Sequence, residues 1–204
     1  MSIKQIKVGF DNFSYIIFDL DIKKAGIVDP GFDIKKQIDF LKLNNLDLIY
    51  IINTHHHSDH TDKNRALKKF YPKAKITVSE ANTNYLGIKP NLKVSEDVEL
   101  SIGKLSIKFL LTPGHTPDGL CIIVDNKVIL TGDTLFIDDC GRADLSGGNI
   151  KDLFNNLQRI KKLPDKMIIY PGHDYGSKPF DSLSNQKKTN KALITKNMKE
   201  FYKI

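Results

Sequence analysis

Six histidines occur in the 204-residue chain, and four of them fall in the run Thr54-His55-His56-His57-Ser58-Asp59-His60. In an extended segment side chains alternate, so His55 and His57 project to one side and His56 to the other. Asp59 and His60 follow as the chain turns into a helix expected from near Thr61. Such a run can present two imidazoles to one metal ion, and a carboxylate with an imidazole to a neighbouring one. Imidazole and carboxylate donors without a thiolate suit Zn, Fe or Mn. A single histidine is most often a satisfied hydrogen-bonding residue; a cluster leaving an apolar strand calls for a metal instead. Alternation leaves His56 outside the site.

Three more residues of ligand type have a common setting. His115 lies in Leu111-Thr112-Pro113-Gly114-His115, Asp133 in Leu130-Thr131-Gly132-Asp133, and His173 in Ile169-Tyr170-Pro171-Gly172-His173. Each follows a strand-like run and a glycine, which permits the tight turn that aims the next side chain into a shared cleft.

The elements that must position these residues alternate along the chain. Strands are expected at Ile3–Val8, Tyr15–Leu20 and Ala25–Val28, the last stopped by Asp29-Pro30-Gly31. Ile34, Ile38 and Leu41 mark a helix, and Leu46–Ile52 reads as a strand covered on both faces. A helix near Asp62–Phe70 precedes strands at Lys75–Val78, Val98–Ile102, Leu105–Leu110, Leu120–Val124 and Val128–Leu130. A helix near Ile150–Ile160, a strand Met167–Tyr170 and one charged helix over about 185–201 complete the chain. Strands in two batches, each followed by helices, predict two stacked sheets with helices outside.

Composition narrows the class. At 40% hydrophobic and 27% charged the chain is that of a folded protein, and its length suits one globular domain over 1–204. Two cysteines cannot build a disulfide framework, and no apolar run approaches the ~20 residues of a membrane span. With no apolar segment of signal-peptide type at the N-terminus, the expectation is a cytoplasmic protein without a membrane partner. The net charge of +7 (31 Lys and Arg against 24 Asp and Glu) comes from scattered lysines, as on a solvated surface. Few aromatics stand outside core positions, so nucleic acid is not an expected partner. Cys121 reads as core, Cys140 as a structural or pocket-lining thiol, and Asp118 and Asp174 as turn or supporting groups rather than ligands.

His55-x-His57-x-Asp59-His60, with His115, Asp133 and His173 downstream, resembles the signature of the metallo-β-lactamase superfamily. The resemblance runs from Val28-Asp29-Pro30-Gly31 to His173-Asp174-Tyr175. It implies an α/β fold, the four-layer αββα sandwich, with the metals at one edge of the sheets. It further implies that His55, His57 and His115 hold one ion, that Asp59, His60 and His173 hold a second, and that Asp133 bridges them. Asp29 matches a position that supports the ligands from behind. Thr131-Gly132-Asp133-Thr134-Leu135-Phe136 and Cys140-Gly141-Arg142-Ala143-Asp144 are most similar to the glyoxalase II group and to persulfide dioxygenases. Asp133 stands where many true β-lactamases carry cysteine, which points away from that activity.

What the resemblance implies is a metal-dependent hydrolase of the hydroxyacylglutathione hydrolase type, acting on a small anionic thioester. Two divalent ions, zinc foremost and iron or manganese as alternatives, would lower the pKa of a shared water from ~15.7 toward ~7, with Asp59 orienting the hydroxide. Arg142 and Tyr175 match substrate-contacting positions, although Arg142 could equally pair with Asp138, Asp139 or Asp144. The alternative is a persulfide dioxygenase, with one iron on His57, His115 and Asp133 and a thiol as substrate. A nucleic-acid hydrolase is a third, weaker reading. Glyoxalase II carries a helical C-terminal domain, for which the segment after His173 leaves room for one helix. Oligomeric state is left open.

Overall fold

The computed structural model describes residues 3–82 and 88–204. The first sheet contains β1 (Ile3–Val8), β2 (Asn12–Asp19), β3 (Lys24–Val28), β4 (Asp47–Ile52), β5 (Lys75–Ser79) and β6 (Leu92–Val94), in that order. The second runs β12 (Asp181–Ser182), β11 (Ile168–Pro171), β10 (Val128–Gly132), β9 (Leu120–Val124), β8 (Leu105–Leu111), β7 (Glu99–Ile102). Both are mixed: β3, β4, β5 and β6 are parallel, as are β10 and β11, and the remaining pairs are antiparallel. Helices α1 (Lys35–Leu43), α2 (Ser58–Thr61) and α3 (Asn64–Phe70) belong to the first half. Helices α4 (Ile150–Lys161), α5 (Leu183–Thr189), α6 (Lys191–Ile194) and α7 (Met198–Phe201) belong to the second.

Period-two alternation builds the layers. Phe13, Tyr15 and Ile17 of β2 meet Leu120, Ile122 and Val124 of β9 in the core between the sheets. Ile16, with Ile27 of β3 and Ile51 of β4, packs outward on Ile38 and Leu41 of α1 and Leu67 of α3. On the far side, Cys121, Ile129 and Ile169 pack against Leu153, Leu157 and Ile160 of α4 and Phe201 of α7. The four-layer αββα sandwich expected from the sequence is therefore present. Among the described residues no helix is long and apolar enough to cross a membrane.

Two expectations need correction. Strand β2 begins at Asn12, ahead of the expected Tyr15, and this places Asn12 beside the candidate site. The single helix expected over 185–201 is broken into α5, α6 and α7. Asparagine is the cause, because its side chain competes for backbone N–H groups and favours helix starts. Asn190, extended at φ −71° and ψ 120°, ends α5 and caps α6 by accepting from Ala192 and Leu193 N–H. Asn197 caps α7 by accepting from Glu200 N–H.

Buried Asn190 also donates to the carbonyls of Phe136 and Asp139, each at 3.0 Å, fastening the 136–140 turn to the helical layer. Asn190→Ala removes a cap and the donor to the buried Phe136 carbonyl, so we expect about 2–4 kcal/mol of destabilisation. The denaturant midpoint should fall with the m-value unchanged.

Candidate metal centre

The donors stand just beyond strand ends. His55 and His57 follow β4, His115 follows β8, Asp133 follows β10 and His173 follows β11, while Asp59 and His60 lie on the one-turn helix α2. The parallel pairing of Gly132 with Pro171 sets Asp133 beside His173, with Oδ2 at 3.3 Å from Nε2. Gly132 has φ +50°, and a Cβ there would come within 2.5 Å of Thr54 Oγ1. Only glycine allows β10 to approach the histidine loop this closely. Gly141 has a similar part: a Cβ would meet the Asp133 carbonyl at 1.8 Å and His115 Nδ1 at 3.3 Å.

Three groups of donor atoms result: His55 with His57 and His115; Asp59 with His60 and His173; and His55 with His60 and Asp133. In the first group His57 Nδ1 is 3.1 Å from both His55 Nε2 and His115 Nε2. In the second, His60 Nε2 and His173 Nε2 are 3.3 Å apart, each 3.4 Å from Asp59 Oδ2. Asp133 spans the two: Oδ2 lies 3.6 Å from His115 Nε2 and Oδ1 3.5 Å from His60 Nε2.

Hydrogen bonding on the far side of four of the five rings shows that a cation belongs here. His115 Nδ1 lies 2.7 Å from the Arg142 carbonyl, which can only accept, so Nδ1 carries the proton and Nε2 offers a lone pair. Thr54 Oγ1 spends its own proton on Asp29 and must accept from His55 Nδ1, leaving His55 Nε2 a lone pair. His60 Nδ1 donates to Asp29 at 3.1 Å and His173 Nδ1 to Asp11 at 3.3 Å, so their Nε2 atoms are lone pairs as well when the rings are neutral. Lone pairs facing lone pairs at this range repel unless a cation sits between them. Asp133 Oδ1, buried and without a hydrogen-bond partner among the described residues, meets the same need. The donor set therefore fits divalent metal.

Without metal, protons take its place. Burial opposes charge on His60, but the carboxylates of Asp133 and Asp29 outweigh it and push its pKa up to about 9. His173 is likewise pushed against its burial to about 10 by the hydrogen bonds it donates to Asp133 and Asp59. Burial alone would raise Asp133 and Asp59, yet the His60 charge and the His173 hydrogen bond hold both well below the usual carboxylate range. Burial, then the neighbouring His60, keeps His55 neutral. Two rings held charged and one held neutral therefore sit within one cluster.

Supporting groups come partly from places that sequence reading did not mark. Asp29 stands behind the donor cluster, accepting from Thr54 N–H at 2.8 Å and Thr54 Oγ1 at 2.6 Å besides His60. Asp29→Asn should weaken zinc at the Asp59–His60–His173 group by ~10–100-fold, read by chelator competition. Asn12 donates to Asp59 Oδ2 at 2.8 Å, and Asp11 holds His173. The one signal in the sequence for this pair is a Gly9-to-Asn12 turn between two strand-like runs.

Arg142 contributes its carbonyl to His115, while its exposed guanidinium forms a bidentate pair with Asp144 at 2.6 Å. Tyr175 stacks on His173 with ring centroids 4.6 Å apart, edge-on to Phe136, and is 56% exposed. Burial and Asp139 push the half-buried Cys140 thiol up to about 12, which disfavours a nucleophilic thiolate. His56 turns away from the donors to Asp118, 2.7 Å distant.

The sequence profile of the metallo-beta-lactamase superfamily matches residues 9–173, a span that contains every one of these donors. The chain belongs to this superfamily. Among its relatives, a probable polyketide biosynthesis zinc-dependent hydrolase, BaeB of Bacillus velezensis, is 35% identical, covering 89% of this chain and 81% of the relative. A hydroxyacylglutathione hydrolase of Pelagibacter ubique is also 35% identical, over 86% of this chain and 72% of its own length. Among solved structures, ETHE1 from Myxococcus xanthus superposes with a TM-score of 0.87 at 29% identity, covering 98% of this chain and 88% of that one. This superfamily member thus has proteins named as hydrolases among its relatives, ETHE1 among its fold neighbours, and a His/Asp cluster of metal-binding composition.

Proposed function

We propose that the protein is a metal-dependent hydrolase that cleaves the thioester of a small anionic thiol, a hydroxyacylglutathione being the nearest substrate type. The observation that carries this reading is the pair of complete three-donor groups joined by the one buried carboxylate of Asp133. His55, His57 and His115 would hold one ion, Asp59, His60 and His173 the other, with zinc the leading metal and iron or manganese the alternatives. When bound, such ions supply Lewis acidity, lowering the pKa of a water and neutralising charge that develops on a carbonyl oxygen.

The chain supplies position and proton handling. Asp59 is the half-buried carboxylate, fixed by Asn12, that accepts a hydrogen bond from the attacking water and orients it. His115, locked by the Arg142 carbonyl, cannot rotate away from the donor set. Tyr175, lying over His173, forms an aromatic wall for the substrate. Arg142 reaches an anionic thiol by exchanging Asp144 for the substrate's carboxylate, which costs little because the existing pair is solvent-exposed. Both cysteines are free thiols, in keeping with a reducing cytoplasm.

Persulfide dioxygenation is the second reading, favoured by the TM-score of 0.87 to ETHE1. It would use His57, His115 and Asp133 around one iron, leaving the other donors unoccupied. One experiment separates the two. Untagged protein purified without chelators is analysed for metal per chain, then assayed for thiol release from a hydroxyacylglutathione and for oxygen uptake with an alkyl persulfide. We expect two ions and thiol release without oxygen. One iron with oxygen uptake would transfer the assignment to the dioxygenase, and protein that binds no metal would overturn both.

A further inference from the structure

A metal-binding imidazole is held in place by whatever its far nitrogen touches. Four of the rings have such a partner: Thr54 for His55, Asp29 for His60, the Arg142 carbonyl for His115 and Asp11 for His173. His57 differs. It faces the cluster through Nδ1, and its Nε2 has no hydrogen-bond partner among the described residues. Its ring is half-buried and its carbonyl is held from one side only, by the N–H of His60 at 3.1 Å and Thr61 Oγ1 at 3.0 Å.

The other side of His57 is His56, whose ring lies 5.1 Å from that of His57 and inclined at 65°. His56 Nδ1 is 2.7 Å from Asp118 Oδ1, and the second oxygen of Asp118 accepts from Asn82 Nδ2 at 2.8 Å. Asp118 is 2% exposed, and a carboxylate so placed needs strong, directed donors. It sits on the same turn as His115, beyond Thr116 and Pro117. One buried carboxylate thus ties the loop bearing His55 and His57 to the turn bearing His115, and both to the end of β5 through Asn82.

We propose that Asp118, acting through His56, is the positioning residue for His57, replacing the far-nitrogen hydrogen bond that this ring lacks. The pair thereby sets the geometry of the His55–His57–His115 group and not that of Asp59–His60–His173. This makes His56 part of the machinery although it donates nothing to a metal.

Because the assignment rests on the metal-binding reading of the cluster, the test isolates each donor group. His173→Ala protein retains the first group intact and His115→Ala protein the second; each is titrated with zinc against a chromophoric chelator. In the His173→Ala background, His56→Ala and Asp118→Asn should each weaken zinc by ~10–100-fold, and the two together no more than either alone. In the His115→Ala background the same changes should leave zinc affinity within about twofold, since the pair touches none of that group's donors. Equal weakening in both backgrounds would make the pair a general structural support and overturn the proposal, as would unchanged affinity in the first. If neither parent background binds zinc, the metal-binding reading itself fails and takes this assignment with it. Asp118→Asn preserves shape, and His56→Ala alters a side chain that is not fully buried, so both variants should keep the wild-type circular dichroism.

Discussion

Asp133→Ala should abolish metal retention at both donor groups and lower kcat/KM for thioester cleavage by two to three orders of magnitude, ~10²–10³. The carboxylate is 8% exposed and lies within 4.0 Å of ligand nitrogens on His55, His60, His115 and His173. It lies between the two donor groups, and its loss leaves the His55–His57–His115 imidazoles with no carboxylate to balance a metal's charge and the other group with Asp59 alone. The metal-free protein should suffer as well. At neutral pH protonated His60 and His173 would be buried without their main counter-ion, a situation that typically costs about 3–5 kcal/mol. Asp133→Asn separates charge from volume: it should lose metal almost as fully while the fold loses less. Metal content of two per chain with activity within tenfold of wild type would refute the bridging role.

The second large effect concerns metal removal and pH. In the chelated protein His60 and His173 have pKa values of about 9 and about 10, above the ~6.5 of an unfolded histidine. Groups raised on folding contribute stability that is complete below the unfolded value and is lost as pH rises through the folded one. The chelated protein should therefore become less stable between about pH 6.5 and 10. Asp133 and Asp59 act oppositely: their depressed values give stability present above ~3.9 and lost as pH falls below it. Each 1 kcal/mol lost on the alkaline side should appear as ~2–4 °C in Tm for a chain of this length.

Metal binding reverses the alkaline trend, because donors must shed their protons first. Zinc uptake by the Asp59–His60–His173 group should release up to two protons, so apparent affinity should climb by up to ~100-fold per pH unit between about 6.5 and 9. Thermal scans with and without chelator across that range check both signs. A chelated Tm that rises toward pH 9 would show that the two histidines are neutral without metal.

Much of the candidate centre was legible beforehand because donor chemistry is a local property. Imidazoles at 55, 57 and 60 in one run, and single ligand-type residues following glycine at 115, 133 and 173, announce themselves by type and spacing, whatever the fold does around them. The layers were equally readable, since runs such as Leu46–Ile52 must be covered on both faces wherever they lie. The weaker expectations were those that depended on competition between local options. One helix over 185–201 is reasonable from its charge pattern, but Asn190 and Asn197 favour starting new helices over continuing an old one.

Support for the ligands belongs to tertiary structure. Asn12 and Asp59 are 47 positions apart, Asp11 and His173 162 apart, and His56 and Asp118 62 apart. No periodicity or motif links such residues, because each pair meets only when separate strand ends gather at one edge of the sandwich. The choice of Asp144 over Asp138 and Asp139 as partner of Arg142 was settled in the same way, by which side chains the 138–144 turn brings within reach. The sequence specified which atoms could bind metal, since that depends on residue type. The fold decided which nitrogen of each ring faces inward, since that is fixed by what the opposite nitrogen finds to bond.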